Sequence, residues 1–240
     1  MDEFLTRGST GEQVDRMIEL MGEFLINNFN TDTMLVSGSI VLDALNGTNY
    51  AKDIDLFCTA SAAKTLLKKA EDAGYVCESR TPSSKNFYPE VLQCYRRTRG
   101  DEERHIDVVV TKGHPFDSIA QFDLSHNKVA FDGDDFFQHQ DINDRFETKM
   151  AYKKGTIEAI TTFLLDFEPP KKKYKRTMFK QAEETFQAQV VNSMIRAGKY
   201  YRRGYLVLDK KGVPIRFTPK LLERLDQLAS EKPPPVYESV

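Results

Sequence analysis

A carboxylate sits inside an apolar run at His105-Ile106-Asp107-Val108-Val109-Val110. A run so rich in β-branched residues reads as a strand covered on at least one face. A charged group within it is costly to bury unless it is paired or opens onto a cleft, so Asp107 is assigned to a site and not to the core. A second strand complements it. Over 51–59, Asp53, Asp55 and Phe57 alternate with Ile54, Leu56 and Cys58, so the two aspartates share one face. Like charges so close are unfavourable without a cation or a shared proton. If the two strands pair, all three carboxylates meet on one face.

The surrounding pattern is mixed α/β. Residues 33–36 predict a short strand that stops at Ser37-Gly38-Ser39, and 40–45 a helix closed by Asn46-Gly47. Upstream, Ser9 and Glu12 fit a capping box for an amphipathic helix over 11–29. Residues 61–73 predict a helix ended by Gly74, followed by strands at 75–78, 87–95 and 105–111 and a short helix from Pro115 to Phe122. Residues 141–167 read as mostly helical. After Pro169-Pro170 come a long helix over 177–203, a hairpin with its turn at 209–212, and a helix over 219–228. The expected organisation is a core over 1–140, a mainly helical basic region over 141–230, and a disordered proline-containing tail over 231–240.

Three converging carboxylates with oxygen-only ligands suit Mg²⁺ or Mn²⁺, which take the rest of their shell from water and substrate phosphates. Gly38 lets backbone approach a phosphate closely. The helix that follows offers free amides and a favourable dipole, and the Ser39 hydroxyl adds a donor.

The order of these features resembles the DNA polymerase beta-like nucleotidyltransferase superfamily. That signature is an apolar strand, Gly-Ser, an acid-apolar-acid strand, and later a third acid between apolar residues. This chain reads LVSGSIVLDAL, then DIDLF, then HIDVVV, with thirteen residues from Ile40 to Lys52. The resemblance covers 33–111. It implies a small mixed sheet with helices on one side, and an enzyme that moves a nucleoside monophosphate from an NTP to an acceptor hydroxyl with release of pyrophosphate. It further implies that Gly38 and Ser39 bind the triphosphate, that Asp53, Asp55 and Asp107 ligate two metal ions, and that Asp107 helps activate the acceptor. FDLSHNKVAFDG (122–133) is similar to a segment of viral and fungal members, but 112–240 as a whole matches no subgroup.

Plainer readings stand beside these. Asp-Ile-Asp also occurs as a solvated strand edge and Gly-Ser as a simple turn; the embedded Asp107 favours a site. His105 shares a strand face with Asp107. His114, His126 and His139 form no pair with metal-ligand spacing. Lys149, Lys153 and Lys154 are candidates for the triphosphate tail, and the sequence selects none.

Charge separates the chain into two parts. Residues 1–150 hold 16 Lys/Arg against 26 Asp/Glu, and residues 151–240 hold 18 against 10. Lys171, Lys172, Lys173, Lys175 and Arg176 with Tyr174, and Arg196, Lys199, Tyr200, Tyr201, Arg202 and Arg203, interleave cations with aromatics. That pattern suits single-stranded nucleic acid or a solvated basic helix face. An RNA 3′ end is therefore one expected acceptor, beside a protein side chain, a second nucleotide or a small molecule, because the same acids serve each; Lys171–Arg176 also fits a nuclear-import signal. Pro234, Pro235 and Tyr237 fit the P-P-x-Y ligand of WW domains. The alternative function is a non-catalytic nucleotide- or nucleic-acid-binding scaffold that recruits partners through this tail.

The three cysteines, Cys58, Cys77 and Cys94, are odd in number and lack C-x-x-C spacing, which disfavours a disulfide framework or zinc site. No apolar run approaches the ~20 residues of a membrane span, and the polar N-terminus fits neither a signal nor a transit peptide. A cytoplasmic protein without a membrane partner is expected.

Overall fold

The structure is a computed structural model that describes residues 3–80, 90–96, 104–140, 148–150, 178–209, 211–231 and 238–239. Two compact units divide the chain. The first takes 1–122, 127–142 and 235–240, and the second takes 123–126 and 143–234.

The first unit is a mixed sheet with helices. Its strands are β1 (Phe4–Arg7), β2 (Met34–Ser37), β3 (Asp53–Thr59), β4 (Val76–Arg80), β5 (Glu90–Tyr95), β6 (His105–Thr111), β7 (Val129–Phe131) and β8 (Phe136–His139). Near the chain end, Glu238 and Ser239 add a short edge strand beside β4, partnering Ser79 and Glu78. The order is β1-β8-β7-β2-β3-β6-β5-β4 and then that edge strand. β3 and β6 run parallel and the other neighbours antiparallel.

The helices are α1 (Gly11–Asn28), α2 (Ser39–Asn46), α3 (Ala60–Asp72) and α4 (Pro115–Ala120). The capping box at α1 is Thr10 with Gln13, one residue beyond the Ser9/Glu12 pair expected. The Gln13 amide donates to Thr10 Oγ1 at 3.3 Å, and the Thr10 amide donates to Gln13 Oε1 at 3.1 Å. Thr10 holds the extended backbone that an N-cap needs. α1 is also not one regular helix, because Gly22 leaves the helical region at φ 76 and ψ 160.

Helices cover both faces of the sheet, not one. On the face of Phe57, an apolar cluster joins Leu35, Phe57, Val91, Val109 and Ala130 to Phe116 and Ile119 of α4. On the other face, Ile54, Leu56, Ile106 and Val108 are buried as well, and Leu20, Met21 and Phe24 of α1 border one cavity with Ile54 and Ile106. β3 is thus buried on both faces along its second half, where half-burial was expected.

In the second unit, β9 (Thr148–Met150) pairs parallel with β10 (Val207–Asp209). The expected return segment of the hairpin pairs back on β10 through a single antiparallel bridge, Leu208 to Pro214, with Asp209 N donating to Val213 O and Ile215 N to Val207 O, each at 2.8 Å. The turn at Asp209 is present: Gly212 N donates to Asp209 O, and the Asp209 carboxylate accepts from the amides of Lys211 and Val213. α5 (Met178–Arg202) packs on α6 (Pro219–Ser230) at Gly198, where a Cβ would lie 3.1 Å from Leu225. Val190, Met194, Ala197 and Tyr200 are buried, as are Leu221, Leu225 and Leu228.

Candidate functional site

The acids lie at the open end of the Phe57 face. β3 and β6 pair so that Asp55 stands opposite Asp107 and Asp53 opposite His105. β2 brings Ser37 opposite Asp55, and β5 brings Gln93 opposite Asp107. Neighbouring strands stand about 4.8 Å apart, so Asp55 and Asp107 project side by side, with Asp53 two residues along the same face. All three are half-buried. Two residues on from Asp55 and Asp107 the face becomes apolar at Phe57 and Val109, under α4. One face therefore carries a packed end that fixes the strands and an acidic end accessible to a ligand.

Gly38 joins β2 to α2 and closes one side of the acidic end. Its backbone, at φ 82 and ψ −149, is the N-cap of α2 and makes no side-chain cap hydrogen bond. A Cβ placed there would lie 2.7 Å from Oδ2 of Asp55. Ser39 is the first residue of α2 and is half-buried.

Three further residues hold this arrangement. Gln93 Nε2 donates to Asp107 Oδ1 at 2.8 Å. Ser37 is fully buried and its hydroxyl donates to Val129 O at 2.6 Å, tying β2 to β7. Asp43 of α2, 2% exposed, accepts from the amides of Tyr50 and Ala51 at 2.7 and 2.6 Å and from the Thr48 hydroxyl. It anchors the segment that leads into Asp53. All three lie outside the residues that the sequence marks as a site. Asp43 carried a visible signal, an acid inside the apolar helix Ile40–Leu45, whereas Gln93 and Ser37 gain their roles only through strand register.

The donor set fits a hard divalent cation in kind, being oxygen-only and drawn from two adjacent strands beside a glycine cradle. As placed, no three His, Cys, Asp or Glu side chains among the described residues are grouped to hold a metal ion. One Asp107 oxygen is engaged by Gln93, and Asp55 reaches toward Gly38.

No known protein family matches this sequence, and no curated protein matches it. Among solved structures, the chain is similar to the Thermotoga maritima CCA-adding enzyme complexed with tRNA_CCA, at 15% identity and a TM-score of 0.47. The match covers 98% of this chain and 52% of that one. A CCA-adding enzyme in complex with CTP matches at 14% identity and a TM-score of 0.46, over 98% of this chain and 53% of that one. The chain spans about half the length of these structures.

The remaining sequence-derived candidates fall elsewhere. His105 is exposed and stacks on Tyr95, with centroids 5.2 Å apart. His114 caps α4, and His139 pairs with Glu3 at 3.1 Å. His126 is buried against Tyr200 and Tyr205. In the second unit the basic series is partly internal. Arg196 pairs with Asp123, Arg202 with Asp226, and Tyr200 belongs to the core. Lys149 lies on β9. Lys153, Lys154, the 171–176 cluster and the Pro234, Pro235, Tyr237 motif lie outside the described residues. Of the stretch expected to be mostly helical, 141–167, residues 148–150 form β9 instead, because they pair with β10, and the rest lies outside the described residues. Among the described residues no helix is long and apolar enough to cross a membrane.

Proposed function

We propose that this chain is a nucleotidyltransferase that moves a nucleoside monophosphate from an NTP to an acceptor hydroxyl and releases pyrophosphate. The observation that carries the reading is the register of Asp55 opposite Asp107, with Asp53 on the same face and Gly38 pressed against Asp55. The motif resemblance required those residues to meet.

In this reading Gly38 presents backbone to the triphosphate, and Ser39 with the first amides of α2 holds its oxygens. The acceptor oxygen attacks the α-phosphorus, the bond to the β-phosphate oxygen breaks, and pyrophosphate leaves; the hydroxyl proton passes to the Asp107 carboxylate. Gln93 holds that carboxylate in place. Asp53, Asp55 and Asp107 are the residues that would hold Mg²⁺ or Mn²⁺, which when bound neutralise charge on the phosphates. An RNA 3′ end is the acceptor proposed first, because residues 151–240 are strongly basic.

The test incubates the full chain with each labelled triphosphate, Mg²⁺ or Mn²⁺ and pooled RNA, beside Asp53→Ala/Asp55→Ala. Label transfer with pyrophosphate release, lost in the double variant, is expected. If there is no transfer, and calorimetry finds triphosphate bound equally by both proteins without dependence on the cation, the scaffold reading replaces this one.

A further inference from the structure

We infer that Cys77 and Cys94 form a redox-modification site, a thiol pair that a small peroxide converts to an intrachain disulfide. The two residues are direct partners across the antiparallel pair of β4 and β5. Their sulfur atoms are 3.0 Å apart, and both are free thiols. A disulfide bond is about 2.05 Å, so closure needs a movement of roughly 1 Å between two strands already in register. Among the described residues, β4 is separated from the sheet edge only by the two-residue strand of Glu238 and Ser239.

The chemistry assigns the two sulfurs different parts. Cys77 is 8% exposed and Cys94 1%, so Cys77 meets the oxidant. Its sulfur attacks one peroxide oxygen, the O–O bond breaks, one water is released, and Cys77 becomes a sulfenic acid. The Cys94 sulfur then displaces the sulfenic hydroxyl as a second water and forms the S–S bond. In total two thiols and one hydrogen peroxide give one disulfide and two waters, with sulfur oxidised and peroxide reduced. Burial raises both thiols above their ordinary range, and the nearby Glu71 carboxylate pushes the same way. Both thiols are thereby weaker acids than a free cysteine, which slows attack on the peroxide. A soft-metal site is the other use of paired thiols, but among the described residues no group of three ligand side chains includes them. Cys58, fully buried on β3, is an internal control.

The experiment treats the native full chain with hydrogen peroxide, quenches with a maleimide, unfolds, and maps peptides without reductant. A Cys77–Cys94 cross-linked peptide that dithiothreitol cleaves should dominate, with Cys58 recovered as the maleimide adduct. A Cys94→Ala variant should accumulate a dimedone-reactive sulfenic acid at Cys77. Recovery of both thiols unoxidised overturns the proposal, as does a dominant link to Cys58. So does an equal yield of the Cys77–Cys94 link from urea-unfolded chain, since chain proximity alone would then explain it.

Discussion

Gly38 and Asp55 stand so close that the site has no room for a side chain at position 38. A Cβ there would fall 2.7 Å from the Asp55 carboxylate, and the backbone lies in a region that only glycine adopts without strain. Gly38→Ala should lose roughly 1–3 kcal/mol in urea denaturation. It should also slow nucleotide transfer by about 100-fold, since a displacement of about 1 Å near reacting groups has that effect. Gly47→Ala is the control. It too sits at positive φ, but in open space, so it should lose only about 1 kcal/mol while transfer persists. Equal transfer rates in the two variants would detach the Gly38–Asp55 contact from the chemistry.

Gln93 acts on Asp107 from the neighbouring strand. A hydrogen bond to a charged group contributes about 1.5–3 kcal/mol, so its loss frees the carboxylate to rotate. Gln93→Leu should lower kcat about 10-fold with KM for the triphosphate little changed. Because Gln93 is only half-buried, water takes over most of that bond in the variant, and the stability loss should stay within about 1 kcal/mol. A variant that loses stability and activity in parallel would make Gln93 structural only.

What the sequence disclosed here was local. β6 spans the expected 105–111, and the Asp53/Asp55 alternation places both acids on one face, because a strand's period needs no partner to be read. β1, β7 and β8 escaped notice. Each has three or four residues, too few to establish a period, and each exists only through pairing with the next. The same limit hid Cys77 opposite Cys94 and Gln93 opposite Asp107, which are seventeen and fourteen residues apart in the chain. It also hid that Phe57 belongs to a core, since α4 arrives from far along the sequence to cover it. In the basic series, helical spacing shows which residues share a face, but not that Asp123 and Asp226 meet Arg196 and Arg202.

Asp43 illustrates a buried acid whose partners are backbone. Asp43→Ala leaves two amides and a hydroxyl without their acceptor, and should destabilise the first unit by at least about 3 kcal/mol. Asp43→Asn keeps one acceptor oxygen and should lose about half as much. Hydrogen exchange should locate the effect, with faster exchange at Tyr50 and Ala51 in both variants. Unchanged exchange at those amides would contradict the anchoring role.

His126 makes the second unit sensitive to acid. Burial lowers its pKa from 6.5 to about 3; Arg203 pushes the same way, and Asp123 opposes. The ring packs on Tyr200 and Tyr205, with centroids 4.0 and 5.0 Å away. Because the folded value lies below the unfolded one, the unfolded chain binds the proton more readily between pH 6.5 and 3. The stabilising contribution is therefore complete above pH 6.5 and is lost as pH falls toward 3. At 1.36 kcal/mol per pKa unit the full span is roughly 4–5 kcal/mol. Urea denaturation at several pH values through this window should show wild type losing stability more steeply than His126→Leu. Parallel slopes for the two proteins would mean that His126 takes up its proton in the folded state as easily as in the unfolded one.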